Sequence, residues 1–422
     1  MLRRWCVGAA LLLRTNRMEA SPCERLADLK LERVTIVASG VVPAGELKLP
    51  VPVRSASPEL FDDFKRLAAF CRVQTIARPT AGSEIAIETW LPLTDWNGRY
   101  LGVGNGGYAG SVNYHRLGES LLAGYAVSST DTGHRGGARD ATWAAGDSVK
   151  QIDFDYRAVH EAAVVSKALI RAFYGRSERA SYFSSCSNGG RQGLMEAERY
   201  PGDYDGIFAG APALNLGFTA RVSGNFDAFA QRGGKIIVYH GMNDAPAGSI
   251  ALYEKLLRDM GEERVRDFFQ LYLIPGMGHC GSGTEPNDIG QWVRPNADRQ
   301  HSLLKALESW VEAGRRPRGV IATRFVIDGD ATSGEARTRV LCPYSSVCAA
   351  KGCVRPVVKP YGRDATSISR RADGVGGAAL HYQLSPPLRP RAPMASKCAG
   401  RSRGSRVPFR NLTISAFLRI LR

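Results

Sequence analysis

No apolar run in this 422-residue sequence is long enough to cross a bilayer: the longest, Trp5 to Leu13, has nine residues, where a spanning helix needs roughly 20. That length suits the centre of a secretory signal, with Arg3 and Arg4 as its basic start. Arg14 and Arg17 follow at once and no A-x-A cleavage site is visible, so the signal is imperfect and Met18 is an alternative start. Paired C-x-x-C spacings are also missing. The nine cysteines, at 6, 23, 71, 186, 280, 342, 348, 353 and 398, never fall three apart, which removes the usual zinc frameworks. In an exported chain they would form disulfides, with at least one thiol left unpaired or lost with the signal. No fixed-period repeat is present, so solenoids and propellers are excluded.

Acidic residues are scarce in one place only. From Val354 to Arg422 there are fourteen Lys and Arg against Asp364 and Asp373, so twelve of the sixteen net positive charges lie in this stretch. The body of the chain is close to neutral. An Arg/Ser/Pro/Gly-rich tail without apolar periodicity reads as a solvated appendage. No DNA- or RNA-binding motif accompanies it, which weighs against a nucleic-acid partner. The expected organisation is an extension or imperfect signal over 1–22, a catalytic domain over 23–353 and the basic tail over 354–422.

What is present in the body alternates between strand and helix. IAIETWLPL (85–93) and YLGVGNGG (100–107) read as strands of an antiparallel start, and AGYAVSSTD (123–131) as another strand. The helix expected over 155–175 ends at Gly175, and ASYFSS (180–185) returns as a strand. Further on come a helix over 189–200, YDGIFAG (204–210), KIIVYHG (235–241), a helix stopped by Gly261, FFQLYLIPG (268–276) and a closing helix over 301–314. This is the rhythm of an α/β fold with a doubly wound, mostly parallel sheet.

Three candidate groups each follow one of these strands, where such sheets hold their reactive loops. Ser187 follows 180–185 in SSCSNGGRQGL, Asp244 follows 235–241, and His279 follows 268–276 in IPGMGHCGSG. Alone, a serine beside glycines is a tight turn, and His279 or Asp244 a loop residue. In the order Ser, Asp, His, each behind a strand, they match the arrangement of α/β-hydrolases. His279 would take the Ser187 proton as that oxygen attacks an ester carbonyl, and Asp244 would hold the imidazole tautomer. Backbone N–H groups of Asn188 and of the loop Gly104 to Gly107, in particular Gly106 and Gly107, would receive the oxyanion. If Ser187 and His279 meet, Cys186 and Cys280 must come within disulfide reach, about 5.5 Å between Cα atoms. Ser185 departs from the elbow pattern G-x-S-x-G, which has glycine there.

At these residues the chain resembles the tannase and feruloyl esterase family. The resemblance runs through CERLADLKL (23–31), WLPLTDWNGRYLGVGNGGYAG (90–110), IDFDYRAVH (152–160), CSNGGRQGLMEAERYPGDYDGIFAGAPALN (186–215), RGGKIIVYHGMND (232–244) and LIPGMGHC (273–280). It implies an α/β-hydrolase acting on small esters of aromatic acids of hydroxycinnamic or gallic type, exported, with a second disulfide between Cys23 and Cys71. A lidless, catalytically weak relative that binds phenolic ligands is the alternative. Two departures stand out. The family's lid insertion, with its calcium site, has only Leu216 to Lys235 in its place, so lid and calcium are expected to be absent, and no metal or cofactor is expected. After Cys353 the family-like text ends, and the partner of Cys342 is left open among Cys348, Cys353 and Cys398.

Overall fold

The computed structural model describes residues 21–49, 64–344, 346–349 and 352–354. Nearly all of the expected N-terminal extension and basic tail, with Cys6 and Cys398, lies outside these residues. Nine strands form one sheet: β1 (Val34–Val42), β2 (Phe70–Ala77), β3 (Ile85–Pro92), β4 (Arg99–Gly102), β5 (Ala126–Thr130), β6 (Ala180–Cys186), β7 (Gly206–Gly210), β8 (Lys235–Gly241) and β9 (Phe269–Ile274). Their order is β1-β2-β3-β5-β4-β6-β7-β8-β9. The pairs from β1 to β5 along one edge are antiparallel, and every pair from β5 through β4 to β9 is parallel.

The parallel strands are buried on both faces, which explains their continuous apolar text. In β8, Ile236 and Val238 point into one core while Ile237 and Tyr239 point into the other. The first core is roofed by the helix Ala158–Tyr174, whose Ala158, Ala162, Val165 and Leu169 recur at helical spacing. That helix ends at Gly175, with φ 66°, a left-handed cap where glycine carries no Cβ penalty. The second core is covered by Leu303–Ala313, whose N-cap Ser302 accepts from the Lys305 N–H and which buries Leu303, Leu304, Leu307 and Trp310. Each fully buried Leu contributes about 1.5–3 kcal/mol.

Several boundaries move. The strand expected over 100–107 ends at Gly102, and Gly104 to Gly107 form a loop instead. The helix expected from 155 opens with a π-helical turn, Asp153–Arg157, before regular α-helix begins at Ala158. Neither β1 nor the helix Tyr114–Leu122 was expected from the pattern. Gly118 in mid-helix counts against a helix by propensity, but a Cβ there would stand 2.7 Å from the Phe64 ring, so this glycine exists for close packing.

Between β7 and β8 the chain spends only residues 211–234, which contain one short helix, Asp227–Gln231. No lid domain stands there. The connection is instead pinned to the π-helical turn. Asp155 accepts backbone N–H bonds from Phe218 at 2.9 Å, Thr219 at 2.5 Å and Ala220 at 2.9 Å.

Candidate active site

Ser187 links β6 to the helix Asn188–Arg199 with φ 63° and ψ −124°. For a residue with a side chain this backbone costs on the order of 1–3 kcal/mol and must be held from outside. Its N–H donates to Gly210 O at 2.9 Å, and its own carbonyl accepts from the N–H groups of Arg191 at 3.1 Å and Ala213 at 3.0 Å. The glycines after it allow the close approach. A Cβ on Gly190 would overlap the Gly210 carbonyl, and one on Gly193 would stand 2.7 Å from Phe183. Gly189 answers the departure at Ser185, because a Cβ on Gly189 would overlap the Ser185 side chain. Gly189 is the second glycine of the elbow pattern, and with serine at the first position its lack of a Cβ leaves the room that the Ser185 side chain fills.

Asn188 is the first residue of that helix, so its N–H has no partner within the helix and faces the end of the sheet where Ser187 stands. The loop after β4 lies alongside, because β4 and β6 are neighbours in the sheet. Gln192, one turn into the helix, accepts the Asn105 N–H at 3.0 Å, and the Asn105 side chain donates to Ser111 O and Thr130 O at 2.6 and 2.9 Å. Thus anchored, the loop leaves the N–H groups of Gly106 and Gly107 without a partner among the described residues. At Gly107, φ is 54° and a Cβ would overlap the Ala138 carbonyl, so glycine is required.

The other two groups meet directly. His279 Nδ1 lies 2.5 Å from Asp244 Oδ2. A carboxylate only accepts, so Nδ1 carries the proton and Nε2 is left as the basic atom. The turn carrying Asp244 is tied to the His279 loop by Met242 N–H to Ile274 O at 2.9 Å and Asn243 N–H to Met277 O at 3.0 Å. The imidazole is open to solvent, with 51% of its side chain exposed.

Cys186 and Cys280 are bonded, with their Cα atoms 5.8 Å apart, so the residues flanking Ser187 and His279 are covalently joined. Cys23 and Cys71 form the second bridge, 5.5 Å between Cα atoms. Cys342 is also disulfide-bonded. Its partner's side chain lies outside the described residues.

Sequence reasoning missed the polar supports. Arg191 is fully buried; its Nε donates to Asn188 Oδ1 at 2.7 Å, and its terminal nitrogens donate to Asp155 O and Phe154 O. Desolvation pulls its pKa down to about 10, which leaves it cationic at neutral pH. The Tyr239 hydroxyl donates to the Cys280 carbonyl at 3.1 Å, from the strand beneath the disulfide. His240 reaches Asp244 from the same strand. In the sequence these residues sit inside a helix or strand that is complete without them, so no spacing sets them apart.

The family described as Tannase and feruloyl esterase matches residues 71–227 and 218–355. The two stretches meet in the short connection between β7 and β8. An uncharacterized esterase of Xanthomonas campestris pv. campestris is 26% identical over 534 aligned positions, covering 82% of this chain and 91% of that protein. An alignment longer than this chain requires inserted segments in the relative. A probable feruloyl esterase B-2 of Neosartorya fischeri is 38% identical over 213 residues, covering 50% of this chain and 39% of its own length. Among solved structures, an esterase from Aspergillus oryzae superposes with a TM-score of 0.69 at 21% identity, over 77% of this chain and 95% of that one. The tannin acyl hydrolase from Aspergillus niger gives 0.55 at 18%, over 75% and 89%. At these identities the structural likeness shows the fold.

Proposed function

From the premise that this chain belongs to the tannase and feruloyl esterase family and is a carboxylic-ester hydrolase, we propose that it cleaves esters of aromatic acids through a serine acyl-enzyme. The relatives are esterases, and the binding-only alternative is not favoured. The observation that carries the mechanism is the 2.5 Å contact of His279 with Asp244, joined through the Cys186–Cys280 bridge to the strained turn at Ser187.

In this reading Ser187 Oγ attacks the ester carbonyl carbon while His279 Nε2 takes its proton. The negative charge that develops on the carbonyl oxygen is received by the N–H groups of Asn188, Gly106 and Gly107. One such donor is worth about 3 kcal/mol of barrier. Collapse breaks the bond to the alkoxy oxygen, which leaves as alcohol with the proton from His279. Water, deprotonated by the same imidazole, then releases the acid from Ser187.

Asp244 keeps His279 in the Nδ1–H tautomer and stabilises the imidazolium. The chemistry is proposed to run without a metal. The disulfides suit an oxidising compartment, so export is proposed with it. No helix among the described residues is long and apolar enough to cross a membrane.

The test is burst release of alcohol from an activated aromatic ester, in wild type and in Ser187→Ala. Wild type should give a burst of about one equivalent, and the variant should give none while keeping its circular dichroism spectrum. A variant that retained most of its turnover would remove Ser187 from the mechanism.

A further inference from the structure

Asp244 Oδ2 is approached by two imidazoles. His279 Nδ1 stands at 2.5 Å on the open side. His240 Nε2 stands at 3.2 Å on the buried side, and 3.1 Å from the Asp244 backbone carbonyl. The other nitrogen of His240, Nδ1, lies 2.8 Å from the Ser249 hydroxyl oxygen. Both partners of Nε2 are oxygens that only accept, so Nε2 must carry the hydrogen. Nδ1 then accepts from the Ser249 hydroxyl. His240 is 6% exposed and Ser249 2%, so no water competes easily for these bonds. Burial also pulls the His240 pKa below its ordinary value, which favours the neutral ring that this pattern requires.

We propose that His240 is a positioning residue for the acid of the triad: its Nε2–H, set by Ser249, pins the Asp244 carboxylate so that Oδ2 faces His279. The need for a pin follows from exposure. The Asp244 side chain is a quarter exposed and sits on a turn where Ala245 has φ 49°. A carboxylate held there by one half-exposed imidazole alone could rotate toward water. The second donor comes from β8, a rigid strand, and restricts both the side chain and, through the carbonyl, the turn. His240 Nε2–H bonds the Asp244 carbonyl with Oδ2 3.2 Å away, and its ring is the buried, neutral one, so the ring that becomes cationic during turnover is that of His279. This inference rests on the reading of Asp244 as the triad acid.

The experiment uses the full chain and four forms: wild type, Asp244→Asn, His240→Phe and His240→Gln. His240→Phe keeps a ring but removes both nitrogens, and His240→Gln can place an amide N–H near the lost Nε2–H. Losing a hydrogen bond to a charged group predicts a fall in kcat of about 10- to 100-fold in His240→Phe. KM should stay within about twofold, since the residue touches no substrate. His240→Gln should recover a measurable part. The far-downfield proton resonance of His279 Nδ1–H should be present in wild type and His240→Gln and missing in His240→Phe. Independently of any variant, nitrogen chemical shifts of the wild-type enzyme should show His240 as the Nε2–H tautomer. An Nδ1–H tautomer overturns the proposal whether or not the variants fold. If Asp244→Asn is inactive while folded His240→Phe keeps the wild-type kcat, His240 is no positioning residue and the triad reading stands. If Asp244→Asn is itself fully active, the triad reading fails instead.

Discussion

The close packing of Ser185 on Gly189 makes a test at single-residue resolution. A Cβ at Gly189 would overlap the Ser185 side chain and stand 3.2 Å from the Asn105 carbonyl. Gly189→Ala should therefore displace the elbow, lower kcat/KM by two or more orders of magnitude and cost about 1–3 kcal/mol of stability, as overpacking typically does. Adding Ser185→Gly removes one of the two clashes, so the double variant should regain much of the activity. Additive losses, measured by urea unfolding and esterase rates on the four members of the cycle, would show that the two side chains do not share this space.

A second residue-scale consequence lies away from the site, at Glu196. Its carboxylate is fully buried with both oxygens unpartnered by any donor, and desolvation, with Asp203 adding to it, pushes its pKa well above 4.5. His160 Nδ1 is 2.6 Å from Asp203, and the ligand atoms of His160, Glu196 and Asp203 all lie within 4.8 Å of one another. Burial and the neighbouring Asp203 carboxylate both favour the protonated form of Glu196 in the folded state. A folded pKa above the unfolded one means that this contribution is full below pH 4.5 and is lost as pH rises through the folded value. Glu196→Gln keeps a neutral group of the same shape, so its stability should fall less than that of wild type between pH 5 and 8. Equal slopes in urea melts would refute the raised pKa of Glu196. Chelator should leave these melts unchanged; a chelator-dependent loss would mean that a cation, not a proton, occupies the cluster.

Among elements, the disulfide ties Cys186, the last residue of β6, to Cys280 in the loop after β9, and β6 and β9 are already set by the sheet. Reduction should therefore lower activity far more than it lowers helix and sheet content. A shift of about 1 Å between nucleophile and base can cost on the order of 100-fold in rate. Peptide mapping that found both cysteines as free thiols in fully active enzyme would defeat this.

Legibility divides along the same line. β6, β8 and the helices ending at Gly175 and Gly314 could be read because burial on both sheet faces demands continuous apolar runs and because glycine marks the left-handed stops. The places of Ser187, Asp244 and His279 could be read because each follows such a strand. Gly104 to Gly107 looked like strand because Val103 and Leu101 extend the apolar text into it. What ends β4 is the turn fixed by Gln192 and Asn105, contacts 87 residues apart in sequence that no local pattern encodes. His240 escaped for a related reason: in KIIVYHG it reads as one more strand residue, and its role exists only where β8 delivers it beside Asp244.

At the scale of the whole molecule, the short connection between β7 and β8 sets the selectivity that we expect of the site. Residues 211–234 leave the turn at Ser187 through the Ala213 bond and bring up one exposed aromatic, Phe218, five residues later. Phe218 is 38% exposed and rests on Trp143, Tyr108 and Phe154, with ring centroids 5.4–5.6 Å away. Asp155 holds its backbone, so this ring is held in place and is not a flap, and we propose it as a wall for the acyl ring. Enclosing a phenyl-sized group is worth roughly 1.5–3 kcal/mol. A single wall recovers about half of that, close to 1 kcal/mol, or a preference of about fivefold. We expect kcat/KM for 4-nitrophenyl ferulate to exceed that for 4-nitrophenyl acetate by no more than about tenfold. Phe218→Ala should reduce even that difference by raising KM for the ferulate alone, because the wall touches the acyl ring and not the reacting carbonyl. The common leaving group keeps intrinsic reactivity comparable, so the comparison reads the acyl site. Calcium or chelator should change neither rate. A ferulate preference of a thousandfold, or its loss on chelation, would require a second wall and a metal from some other part of the chain. A preference that survived Phe218→Ala unchanged would put the aromatic ring elsewhere on the open face of the sheet.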